Sequence, residues 1–317
     1  MSFSIIIPHY NSVDTLEELL NTIPQSRKIE TIVVDDNSDF PNLEKLEIMK
    51  KKFNEVLFLE NTSSNNGAGA CRNIGLKYAN NEWVLFADSD DLFDDNFFEI
   101  ISDFESSCLD LVFFPPKSFS AEEDTESLRH VVFEDLINNF LNSGSKLDEL
   151  KLRYYYVVPW SKMMKRDLIK KNNILFEEIK LSNDILFSAK VGFFSQNLNV
   201  DDRTIYKVRH SQGSMTSIVN KERFMLRLNA WLDYVDFLNN HLSREEIRLL
   251  NISGTPKLIE AHRANLNVIE ILKILKIIKK HDIDIIDKRI FNLHFLIKKI
   301  FKYSRIWRNE NKYLKKE

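Results

Sequence analysis

The chain has 317 residues, of which 44% are hydrophobic and 29% charged, and a net charge of −3. This composition excludes a disordered chain, and the length allows one large domain or two with a substantial core. The negative balance argues against nucleic acid as a partner. With only Cys71 and Cys108, no signal-peptide pattern and no apolar run of membrane-spanning length, the sequence predicts a cytoplasmic protein.

The first hundred residues alternate between strand and helix patterns. Strands are predicted over residues 4–7, 29–34, 56–60 and 83–86, and helices over 12–23, 43–53 and 67–78. This order predicts an α/β fold with a mostly parallel sheet and helices on both faces. Gly67, Gly69 and Gly75 cluster at the third helix, where they indicate either close approach of a ligand or close packing of the helix on the sheet.

The later part of the chain is predicted to be mainly helical. A strand is expected over 109–114 and a helix over 131–141, and helical patterns run from 221 onward with a break at Gly254 and Pro256. Residues 268–317 contain 14 Lys+Arg and 6 Asp+Glu, a local charge of +8. Basic amphipathic helices over 268–280 and 290–317 suit either an anionic membrane surface or a bundle packed on the protein or on another subunit.

An acidic cluster, residues 88–91 (DSDD), directly follows the apolar strand at 83–86. Ligands of open α/β sheets bind at the carboxyl edge, where this cluster should lie. Adjacent carboxylates repel one another unless a cation or hydrogen-bond donors compensate them, and a hard divalent cation bridging to a phosphate would do so. The cluster therefore predicts metal-assisted chemistry on a phosphate-containing substrate, with a helix cap as the alternative.

Several segments together resemble family 2 glycosyltransferases, which are inverting enzymes with the GT-A fold. The first four are residues 4–11 (SIIIPHYN), 33–38 (VVDDNS), 70–76 (ACRNIGL) and 88–91 (DSDD). Similar later segments are 159–163 (PWSKM), 173–177 (NILFE), 182–187 (SNDILF) and 206–216 (YKVRHSQGSMT), with Asn183 where the family usually has Glu. The resemblance implies a Rossmann-like GT-A domain with a nucleotide-sugar half at 1–115, an acceptor half at 116–220 and a C-terminal helical region at 221–317.

The resemblance also implies a nucleotide site. Asp36 is expected to accept a hydrogen bond from the uracil N3–H, which suits a carboxylate because it only accepts, while Asp35 is expected to be structural. Tyr10 is expected to pack on the base. The remaining nucleotide-binding candidates are Pro8, Asn11, Gly67, Arg72, Asp88 and Ser89. Of these, Arg72 is expected to pair with an acidic partner near the nucleotide.

For the metal and the diphosphate, the resemblance points to the acidic cluster and to the segment at 206–216. Asp90 is expected to bind Mn²⁺ or Mg²⁺ directly, and Asp88 to contact the ribose or the metal. Arg209 and His210 are candidates for contact with the diphosphate, and His210 alternatively for a metal ligand. Ser214 lies in a segment predicted to close over the donor and exclude water.

Asp184 is the candidate general base, because an inverting transfer needs one carboxylate to take the proton from the acceptor hydroxyl. The alternative is that the pair Asn183-Asp184 caps the following helix. Trp160 is interpreted either as a sugar platform or as core. Asp91 is a candidate contact for the acceptor or the sugar, or else a helix cap.

These expectations define a metal-dependent inverting transferase that moves a sugar, most simply from a UDP-sugar, to a hydroxyl of a glycan or lipid-linked glycan. The resemblance places it in bacterial capsule, O-antigen or lipooligosaccharide synthesis, with possible peripheral membrane contact through the basic C-terminal helices. One alternative is a non-catalytic scaffold that binds nucleotide or membrane. Another is a sugar-1-phosphate nucleotidyltransferase, but residues 8–11 lack the glycine- and lysine-rich loop that it needs.

Overall fold

A seven-stranded sheet organises the first part of the chain. The computed structural model describes residues 2–120, 130–210 and 220–287, and the chain divides into two units, Met1–Gln212 and Gly213–Glu317. The first unit begins with β1 (Phe3–His9), α1 (Val13–Thr22), β2 (Ile29–Asp35), α2 (Phe40–Lys52), β3 (Leu57–Glu60), α3 (Ala68–Tyr78) and β4 (Trp83–Phe86). It continues with β5 (Leu92–Phe93), α4 (Phe97–Ser102), β6 (Leu111–Phe113), β7 (Lys117–Ser120), α5 (Val131–Ser143), α6 (Lys146–Tyr155), β8 (Lys162–Lys165), α7 (Arg166–Lys171), α8 (Ile185–Phe194), β9 (Leu198–Val200) and β10 (Tyr206–His210).

The strand order of the large sheet is β3-β2-β1-β4-β8-β6-β9. Parallel pairs join β1 to β2 and β4, β2 to β3, and β6 to β9, whereas β8 runs antiparallel to both β4 and β6. The carboxyl ends of β1, β2 and β4 therefore meet at one edge of the sheet. The predicted α/β fold with a mostly parallel sheet is confirmed.

The continuous apolar runs of these strands follow from burial on both faces. In β1, Ile5 and Ile7 enter one apolar cluster with Leu16 of α1, while Ile6 enters a second cluster with Cys71 of α3. Successive side chains of a strand point to opposite faces, so a strand covered by helices on both sides is apolar throughout. The helices thereby hold the carboxyl edge of the sheet rigidly in place.

Two features of the first unit were not predicted. The strand β8 has the sequence KMMK, whose lysines at both ends give no strand pattern. A second, three-stranded sheet has the order β5-β10-β7, and β5 contains only two residues. Its strands come from distant parts of the chain, with Tyr206 opposite Phe93, so their pairing depends on the tertiary structure.

The second unit confirms the predicted helical pattern. It contains α9 (Lys221–His241), α10 (Arg244–Leu250), α11 (Thr255–Arg263) and α12 (Val268–Lys280). The predicted break lies between α10 and α11, where Gly254 occupies the N-cap position and Pro256 the first turn. The basic segment at 290–317 lies outside the described residues. Nowhere in the described ranges is a helix both long and apolar enough to cross a membrane.

Candidate active site

The acidic cluster, residues 88–91, forms a loop between β4 and β5 at the carboxyl edge of the large sheet. Asp90 is exposed and Asp88 half-buried, but Asp91 is only 3% exposed. Its carboxylate accepts hydrogen bonds from the Tyr206 hydroxyl at 2.8 Å and from the Arg209 backbone N–H at 2.7 Å. Burial, and then repulsion from Asp88 and Asp90, raise the pKa of Asp91. Asp91 therefore supports the loop, which corrects its assignment as a sugar or acceptor contact. The helix-cap alternative is also wrong, because a strand follows.

Tyr206, the first residue of β10, underlies this loop. Its buried hydroxyl accepts the backbone N–H of Asp88 at 2.8 Å while it donates to Asp91. Its ring stacks on the indole of Trp160, with ring centroids 5.6 Å apart and an interplanar angle of 15°. Trp160 is only 5% exposed, so it is a core residue and has no face for a sugar. This corrects the sugar-platform interpretation.

Arg209 also holds the acidic loop. Its Nε donates to the backbone carbonyl of Asp90 at 2.6 Å, and its guanidinium forms an ion pair with Glu18 of α1. The same group lies over the ring of Phe119. These contacts hold the guanidinium against the acidic loop, and its contact with a diphosphate stays a prediction. His210 ends β10 half-buried, in register with Ser120 of β7, and the predicted loop residue Ser214 lies outside the described residues.

Arg72 on α3 connects the acidic loop to the segment that precedes α8. Its buried guanidinium forms an ion pair with Asp88 at 2.5 Å and donates to the Asn183 side-chain oxygen at 2.9 Å. The expected pairing of Arg72 with an acidic residue is therefore present. Asn183, the departure from the family pattern, accepts one of the guanidinium N–H groups. A charge-assisted pair of this kind fixes the direction of the Asp88 carboxylate.

Asp184 occupies the N-cap position of α8, but its side chain makes no capping hydrogen bond to the helix. The predicted alternative of a side-chain cap is therefore wrong. Burial raises the pKa of Asp184; Arg72 and Lys162 oppose this effect, and the charge of Asp88 adds to it. A carboxyl group with a raised pKa takes up a proton more readily, which suits a general base. The structure thus brings the predicted base to the acidic loop and Arg72.

Lys162 is a further charged residue at this position, and no role was predicted for it from the sequence. The residue is 2% exposed, and its ammonium donates to the Tyr156 carbonyl at 2.6 Å and lies over the rings of Tyr156 and Phe113. Burial lowers its pKa to about 7, while attraction to Asp184 opposes the lowering. The sequence did contain a signal for this residue, because Lys162 is the lysine of the segment 159–163, which carries the family resemblance.

At the end of β2, the two adjacent carboxylates have different surroundings. Asp35 is buried and bound by His9 Nδ1 at 2.7 Å and by the Ser38 hydroxyl at 2.6 Å. Burial raises the pKa of Asp35, but these hydrogen bonds outweigh it and leave the pKa lowered. Asp36 is half-buried and accepts from Asn61 Nδ2 and from the Gly67 backbone N–H, both at 2.7 Å. The two aspartates differ as predicted, with Asp35 in the structural position.

The loop after β1 carries the predicted base-packing residue. Tyr10 is 55% exposed beside the end of β2, which leaves its ring open to a ligand. Asn11 has a φ of 50° and exchanges side-chain hydrogen bonds with Asp39. Ser89 pairs with Ser12 at 2.8 Å, which joins this loop to the acidic loop. Pro8, in contrast, is buried within β1, which corrects its assignment as a nucleotide contact.

The three glycines at α3 are required for two different reasons, backbone conformation and close packing. Gly67 has a φ of +119°, a backbone conformation that side chains disfavour, and this geometry directs its N–H to Asp36. A Cβ at Gly69 would lie 2.2 Å from the Glu177 carbonyl oxygen, and one at Gly75 would lie 2.4 Å from Ile6. Close packing therefore explains Gly69 and Gly75, whereas Gly67 belongs to the site.

The described residues contain no group of three or more His, Cys, Asp or Glu side chains arranged to hold a metal ion. The carboxylates of Asp88 and Asp90 at the loop of residues 88–91 stay the predicted metal ligands. Tyr206 and Lys162 are the main additions to the predicted set. Both lie within segments that carry the resemblance, but only their tertiary contacts show what they touch.

The chain belongs to glycosyl transferase family 2, since the model of that family matches residues 4–172. Among curated relatives, it is 30% identical over 268 residues to TarS of Staphylococcus aureus strain MW2, a poly(ribitol-phosphate) beta-N-acetylglucosaminyltransferase. That match covers 77% of this chain and 44% of the relative. A poly(ribitol-phosphate) beta-glucosyltransferase of Bacillus spizizenii is 28% identical over 225 residues, which cover 69% of this chain and 34% of the relative.

The fold is likewise that of a solved family member. The crystal structure of residues 1–349 of S. aureus TarS in complex with UDP-GlcNAc matches with a TM-score of 0.58 and 23% identity. The match covers 82% of this chain and 72% of that one, so the GT-A fold is shared. The chain spans less than half the length of the two curated relatives.

Proposed function

We propose that this chain is an inverting glycosyltransferase that moves a sugar from a UDP-sugar to a hydroxyl group of a cell-surface polymer. The observation that carries the proposal is the placement of Asp184 beside Arg72 and Asp88 at the carboxyl edge of the sheet. The buried Arg72 thereby links a carboxylate on the donor side, Asp88, to the separate candidate base, Asp184. The family membership supports the same reaction class.

The donor side is formed by the ends of β1 and β2. Asp36 is held by Asn61 and Gly67, and a carboxylate has enough lone pairs to accept a further hydrogen bond from the uracil N3–H. The exposed ring of Tyr10 can stack on the base. The UDP-GlcNAc complex of the structurally similar TarS supports a uridine donor.

Mn²⁺ or Mg²⁺ fits the acidic loop. The exposed Asp90 and the half-buried Asp88 offer carboxylate oxygens, which hard divalent cations prefer. Two protein carboxylates suffice, because such cations commonly complete their coordination with water and substrate phosphates. When bound, the cation would neutralise charge on the diphosphate leaving group. The Arg72 ion pair leaves Asp88 with a fixed orientation for this contact.

In the chemical step, Asp184 accepts the proton of the acceptor hydroxyl while that oxygen attacks the anomeric carbon. The bond from the anomeric carbon to the diphosphate breaks, and the electron pair leaves with UDP. Attack from the opposite side converts an α-linked donor into a β-linked product. Burial raises the pKa of Asp184 and so favours uptake of a proton, while the nearby Arg72 and Lys162 oppose part of this rise. Such a general base typically contributes about 10²–10⁴-fold in rate.

The acceptor is proposed from the relatives. Two of them are named for transfer to poly(ribitol-phosphate), so a polyol-phosphate or related surface polymer is the acceptor class that we propose for this chain. These names favour a teichoic-acid-type polymer over capsule, O-antigen or lipooligosaccharide. A peripheral membrane location through the basic C-terminal segment at 268–317 would bring the enzyme to a lipid-linked acceptor.

The test separates donor binding from turnover. Thermal shifts are measured with UDP, GDP, CMP and TDP, each with Mn²⁺ and with EDTA, because a ligand that binds only the folded state raises its stability. UDP should stabilise the wild type in the presence of Mn²⁺, and Asp90→Ala should lose that dependence. In a folded sample, the absence of any nucleotide response would refute the site assignment.

Turnover is then measured by UDP release with ribitol-phosphate oligomers as acceptor. Asp184→Asn should keep the UDP thermal shift and lose about 10²–10⁴-fold in kcat. The matched control is Asp110→Asn, since Asp110 precedes β6 at the opposite edge of the sheet and accepts from the backbone of Gln196 and Asn197. Unchanged turnover in Asp184→Asn would refute the assigned base, and a wild type that binds UDP without turnover on any acceptor would favour the scaffold alternative.

A further inference from the structure

Two residues of one strand, β10, hold the backbone and the buried carboxylate of the acidic loop of residues 88–91. The Tyr206 hydroxyl accepts from the backbone N–H of Asp88 and donates to the Asp91 carboxylate, both at 2.8 Å. Three residues further on, Arg209 donates its backbone N–H to Asp91 and its Nε to the carbonyl of Asp90. The loop thus has fixed contacts at both of its ends and at the residue that carries the candidate metal ligand.

We propose that Tyr206 is a positioning residue for the donor- and metal-binding loop: its hydroxyl group fixes the backbone that aims the carboxylates of Asp88 and Asp90. This proposal rests on the proposed function. The Tyr206 hydroxyl bonds to the backbone N–H of Asp88 and to the buried Asp91 carboxylate, so the residue acts through the loop backbone and through Asp91. A phenol suits this task, because one oxygen can accept and donate at the same time.

The position of the hydroxyl is itself determined by packing. The Tyr206 ring is stacked on Trp160 and lies edge-on to Phe93, and the centroids of the Tyr206 and Phe93 rings are 5.5 Å apart. All three side chains are buried, with Tyr206 and Phe93 at 1% exposure or less. The ring therefore has no room to turn away, and the hydroxyl stays directed at the loop. Functional groups held within about 0.5 Å of the productive geometry depend on such supporting contacts.

Loss of the Tyr206 hydroxyl would disturb the loop that is proposed to bind the ligand. Without the hydroxyl, the Asp88 N–H loses its acceptor, and Asp91 keeps the Arg209 N–H as its remaining hydrogen bond among those described above. A buried carboxylate that loses a donor is strongly destabilised, and the loop relaxes to restore the contact with water or another donor. Partners that support metal ligands in this way typically change metal affinity by about 10–100-fold when they are removed.

The test compares Tyr206→Phe with Tyr156→Phe in the full chain. Tyr156 is equally buried, and its hydroxyl donates to the Phe114 carbonyl at 3.0 Å, away from the acidic loop. Both variants remove one buried phenol hydroxyl and keep the ring: Tyr206→Phe loses the hydrogen bonds to the Asp88 N–H and to Asp91, and Tyr156→Phe loses the bond to Phe114. The measurements are binding of Mn²⁺ alone by electron paramagnetic resonance, UDP affinity with Mn²⁺, and hydrogen exchange of the Asp88 amide.

Tyr206→Phe is expected to weaken Mn²⁺ binding by about tenfold or more and to speed exchange of the Asp88 amide, while Tyr156→Phe changes neither. Equal Mn²⁺ and UDP affinities in Tyr206→Phe and wild type would overturn the positioning role, even if Tm falls in both variants. Unchanged exchange of the Asp88 amide would refute the hydrogen bond from that amide to the Tyr206 hydroxyl, on which the proposal rests. If the wild type binds neither Mn²⁺ nor UDP, the proposed function itself fails, an outcome that the wild-type measurement identifies before any variant is compared.

Discussion

Replacing Lys162 by methionine should change how the stability of the protein depends on pH. The ammonium of Lys162 is buried at the start of β8, with two aromatic rings and the Tyr156 carbonyl as its neighbours. Burial lowers its pKa from 10.5 to about 7. Methionine keeps an unbranched side chain of similar length and removes the charge, so the pH-dependent part of the stability should disappear in Lys162→Met.

The sign follows from counting protons. Below pH 7 the lysine is charged in both the folded and the unfolded protein, and the folded state carries the full cost of the buried charge. Between a pKa of about 7 in the fold and 10.5 in the unfolded chain, the unfolded state binds more protons, so the free energy of unfolding rises with pH. At about 1.4 kcal/mol per pH unit, the full effect is roughly 5 kcal/mol. About 3 kcal/mol of this rise in the free energy of unfolding should develop between about pH 7 and about pH 9.5.

The assay is urea unfolding of the wild type and Lys162→Met at these two pH values, followed by tryptophan fluorescence. The quantity compared is the difference in unfolding free energy between the two proteins, in which contributions shared by both largely cancel. Met164→Leu is the matched control, because Met164 lies on the same strand, is equally buried and has no ionisable group. If the difference between wild type and Lys162→Met is the same at both pH values, Lys162 is not a buried ammonium that loses its proton near neutrality.

Three further outcomes are expected. Gly69→Ala should lower the free energy of unfolding of the first unit by about 1–3 kcal/mol in urea titrations, since its Cβ would lie 2.2 Å from the Glu177 carbonyl oxygen; unchanged stability would show that the backbone there can yield. Arg72→Gln should weaken UDP binding by about tenfold in calorimetric titrations, because the Asp88 carboxylate loses its ion-pair partner; equal affinity would remove Arg72 from the donor site. Ser243→Ala should cost the second unit about 1 kcal/mol by thermal unfolding, because it removes the capping box at the start of α10; a stability equal to that of the wild type would contradict a contribution from this cap.

The sequence by itself determined the framework of the site. The strands β1, β2 and β4 were visible as apolar runs because both of their faces are buried, and each run is followed by polar residues. In a parallel sheet those residues must meet at one edge, whatever the rest of the chain does. The sequence also predicted the structural position of Asp35 and identified Arg72 as the partner of an acidic residue.

Only the tertiary structure decided which side chains support the site. In the sequence, Trp160, Asp91 and Arg209 look like residues that touch a ligand, because aromatic and charged side chains serve both purposes. Their roles depend on β10, whose Tyr206 lies opposite Phe93 across more than a hundred residues of chain. Residue type and spacing report on neighbours along the chain, whereas the burial of Asp91 and the seating of Lys162 beside Asp184 arise from contacts between distant segments.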